Sequence, residues 1–79
     1  MMPAACAQAI DIDSTYVWQG ELEQGAEVLV LFKTRTSRYA ALEARVTELH
    51  PYDTPELIQV PVMSGLGAYL AWVDEQTTD

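Results

Sequence analysis

The residues best able to do chemistry in this chain cluster in "HPYDTPELIQVPV", residues 50–62, which holds the single histidine and three of the four prolines. Imidazole suits copper or zinc, and thiolate suits Cu(I). One histidine does not make a metal site, because a closed site takes about four ligands. A partner subunit would supply a further copy of His50 if the two lie close together. The competing structural reading makes His50 a helix-end residue, since an imidazolium is favourable beside a helix C-terminus and the following prolines set a turn. Cys6 is the only cysteine, which excludes a disulfide within one chain. Lys33, Tyr52 and Glu56 form a second group, because a lysine ending an apolar strand and a glutamate opening another can face each other between subunits. Such a cleft takes an anion or nucleotide, or simply an interface salt bridge covered by Tyr52.

Other chemistry is poorly supported. The carboxylates of Asp11 and Asp13 and of "GELEQ" lack the glycine offset and oxygen count of a calcium loop. His50, Ser64 and Asp53 have no nucleophile-elbow sequence around them, and no phosphate-cradling or dinucleotide motif is present. An enzyme is not expected. Twelve acidic residues against four basic ones give a net charge of −8, which argues against nucleic acid as a partner. The same charge attracts cations. No apolar run reaches the roughly 18 residues of a membrane span. The first ten residues lack the basic and apolar regions of a secretory signal, so the expected location is cytoplasmic.

These residues need a scaffold. "STYVWQG" (14–20) reads as a strand running into a turn, and "AEVLVLFKT" (26–34) as a strand covered on both faces. The intervening "QGELEQG" predicts a hairpin with a loop longer than the tightest kind. Residues 37–49 form the best helix, with Tyr39, Leu42, Val46 and Leu49 on one stripe and Thr36 or Ser37 as cap. Pro51 ends it, because the ring pushes His50 out of helical geometry. "PELIQVPV" (55–62) predicts another strand, with its prolines at the ends or on an exposed edge. "SGLGAYLAWVDEQ" predicts a turn and a short helix, followed by a frayed tail at 77–79. Tyr16, Trp18, Tyr69 and Trp72 are expected as core and interface aromatics. The order is ββαβα in one small domain, 1–79. A chain this short buries a limited core, so a partner subunit is expected.

Four motifs in order strengthen this reading: "Y-x-W-x-G" (Tyr16, Trp18, Gly20), "K-T" (Lys33, Thr34), "H-P-Y-x-x-P-E" (His50, Pro51, Tyr52, Pro55, Glu56) and "Y-L-x-W" (Tyr69, Leu70, Trp72). Together, over about 4–73, they resemble the CutA divalent-cation tolerance family. The resemblance implies an α+β, ferredoxin-like (split βαβ) sheet with helices on one face and a homotrimer. It also implies a cytoplasmic protein linked to copper or another divalent cation, weakly bound. His50 matches a histidine tied to copper in some members, while the first-strand cysteine of that pairing has no counterpart here. Family members begin with a strand and a helix ahead of the "A-A-C" at Ala4–Cys6, so the expected architecture is N-terminally truncated to ββαβα. Without that central strand, 26–34 and 55–62 would share no neighbour. A trimeric signalling or scaffold module, with Lys33, Tyr52 and Glu56 lining an intersubunit pocket, is the alternative.

Overall fold

The computed structural model describes residues 4–78. Its dominant element is an antiparallel hairpin of β1 (Cys6–Trp18) and β2 (Glu21–Lys33), paired without interruption from Cys6–Lys33 to Trp18–Glu21. Both strands are longer than the sequence suggests. The alanines and aspartates of 6–13 are poor strand formers, yet they stay extended because 26–33 gives each a partner. The turn also differs from the expected long loop. Only Gln19 and Gly20 lie outside the strands, at φ 51° and 80°, so this is a two-residue turn of the kind that needs positive φ at both centres. Glycine takes that geometry without a Cβ clash, and it sits at the second position. Gly25 lies inside β2 opposite Ser14, and Leu22 belongs to β2.

After β2 the chain makes a 3₁₀ turn, Thr36–Arg38, and enters α1 (Tyr39–Leu49). Neither Thr36 nor Ser37 caps α1. Both are consumed in the 3₁₀ turn, Arg38 takes the cap position, and no side chain bonds the first turn. The end of α1 matches expectation: His50 is extended at φ −77°, ψ 137°, and its N–H still closes onto the Val46 carbonyl at 2.8 Å. Leu42 is buried, Tyr39 and Val46 are half-buried, and Leu49 is exposed. The apolar stripe is therefore covered over its first two turns only.

Residues 55–62 form no strand. Ile58, Val60 and Val62 are 69–73% exposed. A strand is defined by its neighbour, and among the described residues β1 and β2 pair only with each other. The observed order is thus two antiparallel strands, a 3₁₀ turn and two helices, an α+β arrangement. Trp18, Tyr16, Tyr69 and Trp72 are likewise all exposed by more than two fifths, so they are not core residues of the single chain.

The last helix, α2 (Gly67–Gln76), buries Val73. Its C-terminal end is where the tertiary polar contacts gather, and the frayed tail expected at 77–79 does not begin at Thr77, which is fully buried; position 79 lies outside the described residues. Arg35 Nη2 donates to the Asp74 carbonyl at 2.7 Å and to Thr78 Oγ1 at 3.0 Å, while Nε donates to Thr77 Oγ1 at 3.2 Å. Arg38 Nε donates to the Thr77 carbonyl at 3.0 Å. Thr77 Oγ1 in turn donates to the Val73 carbonyl at 2.7 Å. Two guanidinium groups from the β2–α1 junction thus cap the carbonyls and negative dipole end of α2.

The radius of gyration is 15.0 Å, with extents of 45 × 26 × 18 Å. A compact chain of this length would have a radius of roughly 12 Å. The hairpin explains the excess, since thirteen residues at about 3.3 Å each span about 43 Å. Replacing Thr77 with valine keeps its shape and removes the hydroxyl. We expect Thr77→Val to lower stability by about 1–2 kcal/mol in urea denaturation, with the loss concentrated in α2 amide exchange; unchanged α2 exchange would refute the role of Thr77 in holding the end of α2.

Candidate functional site

His50, Pro51 and Tyr52 leave α1 directly over the hairpin. They line an open hollow of about 530 Å³ together with Asp11, Ile12, Asp13, Ala26, Glu27 and Val28. Two of the sequence's candidates, His50 and Tyr52, therefore lie together, and carboxylates missed as site residues lie around them. Lys33 and Glu56 do not line this hollow. Lys33 ends β2 opposite Cys6, five residues beyond Val28, which is about 16 Å along an extended strand. Cys6 is removed from His50's hollow by the same geometry.

The strand register decides what the carboxylates can do. Side chains directly opposite across a ladder share a face, and successive residues alternate. Asp11 and Asp13 share a face with Val28 and Ala26, whereas Glu27 shares the other face with Ile12. The three carboxylates therefore border one hollow without converging. Among the described residues no group of three or more His, Cys, Asp or Glu side chains is placed to hold a metal ion.

His50 has a defined structural task. Its Nδ1 accepts the Tyr52 backbone N–H at 3.1 Å, and the two rings meet edge-on with centroids 4.8 Å apart. A neutral imidazole that accepts at Nδ1 carries its proton on Nε2. A cation at Nε2 then requires that proton to move to Nδ1, which breaks the bond to Tyr52. A cation at Nδ1 displaces the same N–H directly. Either route gives up one hydrogen bond, a cost of about 1 kcal/mol. His50 is thus available to a metal only at the expense of its turn. No spacing rule in the sequence reports this bond, although the extended His50–Pro51 pair makes the return of the Tyr52 N–H sterically natural.

The segment carrying Tyr52 and Glu56 is tethered further on. The Tyr39 hydroxyl donates to Glu43 Oε2 at 2.7 Å and reaches the Leu57 carbonyl at 3.3 Å. The hydrogen bond to Glu43, then desolvation and the carboxylate's charge, raise the Tyr39 pKa above its ordinary value of 10.0.

With this geometry in view, the chain is an α+β protein whose hairpin carries an open hollow beneath the end of α1. A family model described as "CutA1 divalent ion tolerance protein" matches residues 2–76. The chain belongs to the CutA1 family. It is 40% identical over 77 residues to the protein CutA homolog of Danio rerio, covering 96% of this chain and 51% of that protein. It is 41% identical over 75 residues to the divalent-cation tolerance protein CutA of Thermus thermophilus, covering 94% of this chain and 73% of the relative. The solved structure of the Thermus thermophilus protein superposes with a TM-score of 0.91, covering 96% of this chain and 75% of that one. The solved structure of the PII-like protein CutA from Nostoc sp. PCC 7120 in apo form superposes with a TM-score of 0.90 at 33% identity, covering 96% of this chain and 75% of that one. The chain spans about half the length of its vertebrate relative and about three quarters of the bacterial ones.

A raised pKa favours the neutral phenol in the folded chain. That preference is present in full below the ordinary tyrosine range and is lost as pH rises through the folded-state pKa. In an alkaline absorbance titration, the step removed by Tyr39→Phe should lie above the ordinary value. Glu43→Gln should move it down; a step that stays in place would remove Glu43 as the cause.

Proposed function

We propose that this chain serves divalent-metal tolerance or homeostasis, with copper as the cation of interest, and that it does so in the cytoplasm as a homotrimer. Membership of the CutA1 family is the observation that carries this reading. The cation is cargo, weakly bound, and is taken at His50. The net charge of −8 raises the local cation concentration, while among the described residues no carboxylates converge on a metal site. Assembly contributes in two ways. It brings further copies of His50 into reach of one ion, and it covers apolar side chains that one copy leaves in water. A ferredoxin-like sheet with helices on one face is the architecture in which this happens. Binding, not catalysis, is the activity.

Metal capture at His50 exchanges the Tyr52 hydrogen bond for a metal–nitrogen bond, so affinity should be modest. Titration of copper into the wild-type chain and into His50→Ala, followed by calorimetry, is the test. We expect at least a tenfold weaker affinity in the variant, a difference of about 1.4 kcal/mol. Equal affinities would take His50 out of the account.

The similarity to the PII-like protein CutA of Nostoc supports a second reading for this chain: a signalling or scaffold module with Lys33, Tyr52 and Glu56 lining a pocket between copies. Within one copy Lys33 and Tyr52 lie at different levels of the hairpin, so such a pocket needs residues from two copies. In thermal-shift measurements with nucleotides, this reading expects a saturable rise that Lys33→Ala abolishes. A rise with copper alone favours the metal reading.

A further inference from the structure

The hollow beneath His50 is one end of a longer trough. A second hollow of about 390 Å³, lined by Asp13, Ser14, Thr15, Gln24, Gly25 and Ala26, shares Asp13 and Ala26 with the first. The two therefore run on from one another along the hairpin. The strand register sets what lines them. Asp11, Asp13 and Thr15 share a face with Val28, Ala26 and Gln24, each directly opposite its partner. Residues two apart on one strand lie about 7 Å from each other. An acceptor thus recurs along β1 at that interval, two carboxylates and then a hydroxyl, beside the apolar side chains of Ala26 and Val28. His50, Pro51 and Tyr52 wall the end away from Thr15.

The row has no counter-ion of its own. From Cys6 to Phe32 the hairpin carries five carboxylates and neither lysine nor arginine. Among the described residues Asp11 and Asp13 enter no hydrogen bond or ion pair. Charges spaced in this way are poorly met by one small ion, whose oxygen ligands must all lie within about 2.6 Å of it. They are well met by a ligand whose own charges are spaced. Two ammonium groups joined by four methylenes are separated by five staggered bonds of about 1.5 Å, which project to about 6 Å.

We propose that this trough binds a linear aliphatic polyamine, with ammonium groups on Asp11 and Asp13 and the methylene stem along Ala26 and Val28. A third ammonium reaches Thr15 and Gln24, whose side-chain oxygens accept from it. Tyr52, whose ring meets that of His50 at 4.8 Å, closes the far end and offers an aromatic surface to a cation. Each exposed ammonium–carboxylate contact is weak, so affinity comes from several at once and falls with salt. The proposal does not rest on the metal reading, because His50 is a wall of the trough and not a ligand.

The test is calorimetric titration of spermidine and 1,4-diaminobutane into the 79-residue chain at low ionic strength. Two controls separate spacing from charge. 1-Aminobutane keeps the stem with one ammonium, and magnesium carries the diamine's charge at one point. We expect both controls to bind on the order of tenfold more weakly than 1,4-diaminobutane. Asp11→Asn and Asp13→Asn should each weaken spermidine binding about threefold, whereas Glu75→Gln, which removes the same charge from α2, should change it less than about twofold. NMR amide shifts induced by spermidine on the unsubstituted chain should gather at 11–15 and 24–28, and they decide the matter if either aspartate variant fails to fold. Magnesium or 1-aminobutane binding as tightly as the diamine overturns the proposal. So does a loss in Glu75→Gln equal to that in the aspartate variants, because net charge alone then holds the amine. Shifts confined to other segments overturn it as well.

Discussion

The ladder between β1 and β2 is the interaction on which the rest of the chain depends. It holds two thirteen-residue strands in a single register, and among the described residues no other pair of elements packs so broadly. That register sets which side chains share a face. It thereby separates Glu27 from Asp11 and Asp13, and it points the backbone of Val28, Val30 and Phe32 away from β1. The helices depend on it less directly. α1 continues from β2 through a 3₁₀ turn, and α2 is held to that junction by Arg35 and Arg38. A molecule whose organising contact is a backbone ladder has little apolar burial to spare, and only Leu42 and Val73 are buried hydrophobic residues among those described.

The parts of the fold legible in the sequence are those decided within a few residues. Pro51 restricts the residue before it, so the end of α1 at Leu49 and the extended His50 follow from local sterics. The helix at 67–76 follows from its composition. The hairpin's existence was legible, but its turn was not, because Gly20 and Gly25 both fit a turn and only pairing selects between them. What escaped the sequence is non-local. "PELIQVPV" has strand composition, yet strand formation needs a neighbour, and propensity cannot provide one. Thr77 reads as a polar residue near a chain end. It is buried because arginines some forty positions earlier reach it, a contact that no periodicity encodes.

The candidate site divides in the same way. The family resemblance named His50 and Tyr52, and both line one hollow. Their mutual hydrogen bond was invisible to spacing arguments, although it bears on metal affinity more than the residue types do. Lys33 and Glu56 lie outside that hollow, and among the described residues the two are not brought together there. The aromatic residues of "Y-x-W-x-G" and "Y-L-x-W" read as core and interface residues. In one chain they are surface, which moves their role from monomer packing to contact with whatever covers the sheet and α2.

Charge and exposure bear jointly on how such a chain avoids misassociation. An edge as apolar as Val28–Phe32 is a hazard, because flat apolar edges recruit identical strands. Two features oppose that outcome. The net charge of −8 makes every approach of like chains repulsive at long range, most strongly at low salt. The charges at Glu27 and Lys33 also bracket the apolar run, so an antiparallel in-register copy centred on Val30 would place each opposite its complement, while a parallel one would set like charges side by side. Salt weakens both the long-range repulsion and the bracketing pairs. The apolar contact itself is insensitive to modest salt. The balance between a free edge and self-association therefore shifts with ionic strength, and acidic composition here is as much a control on which strands meet as a means of attracting cations.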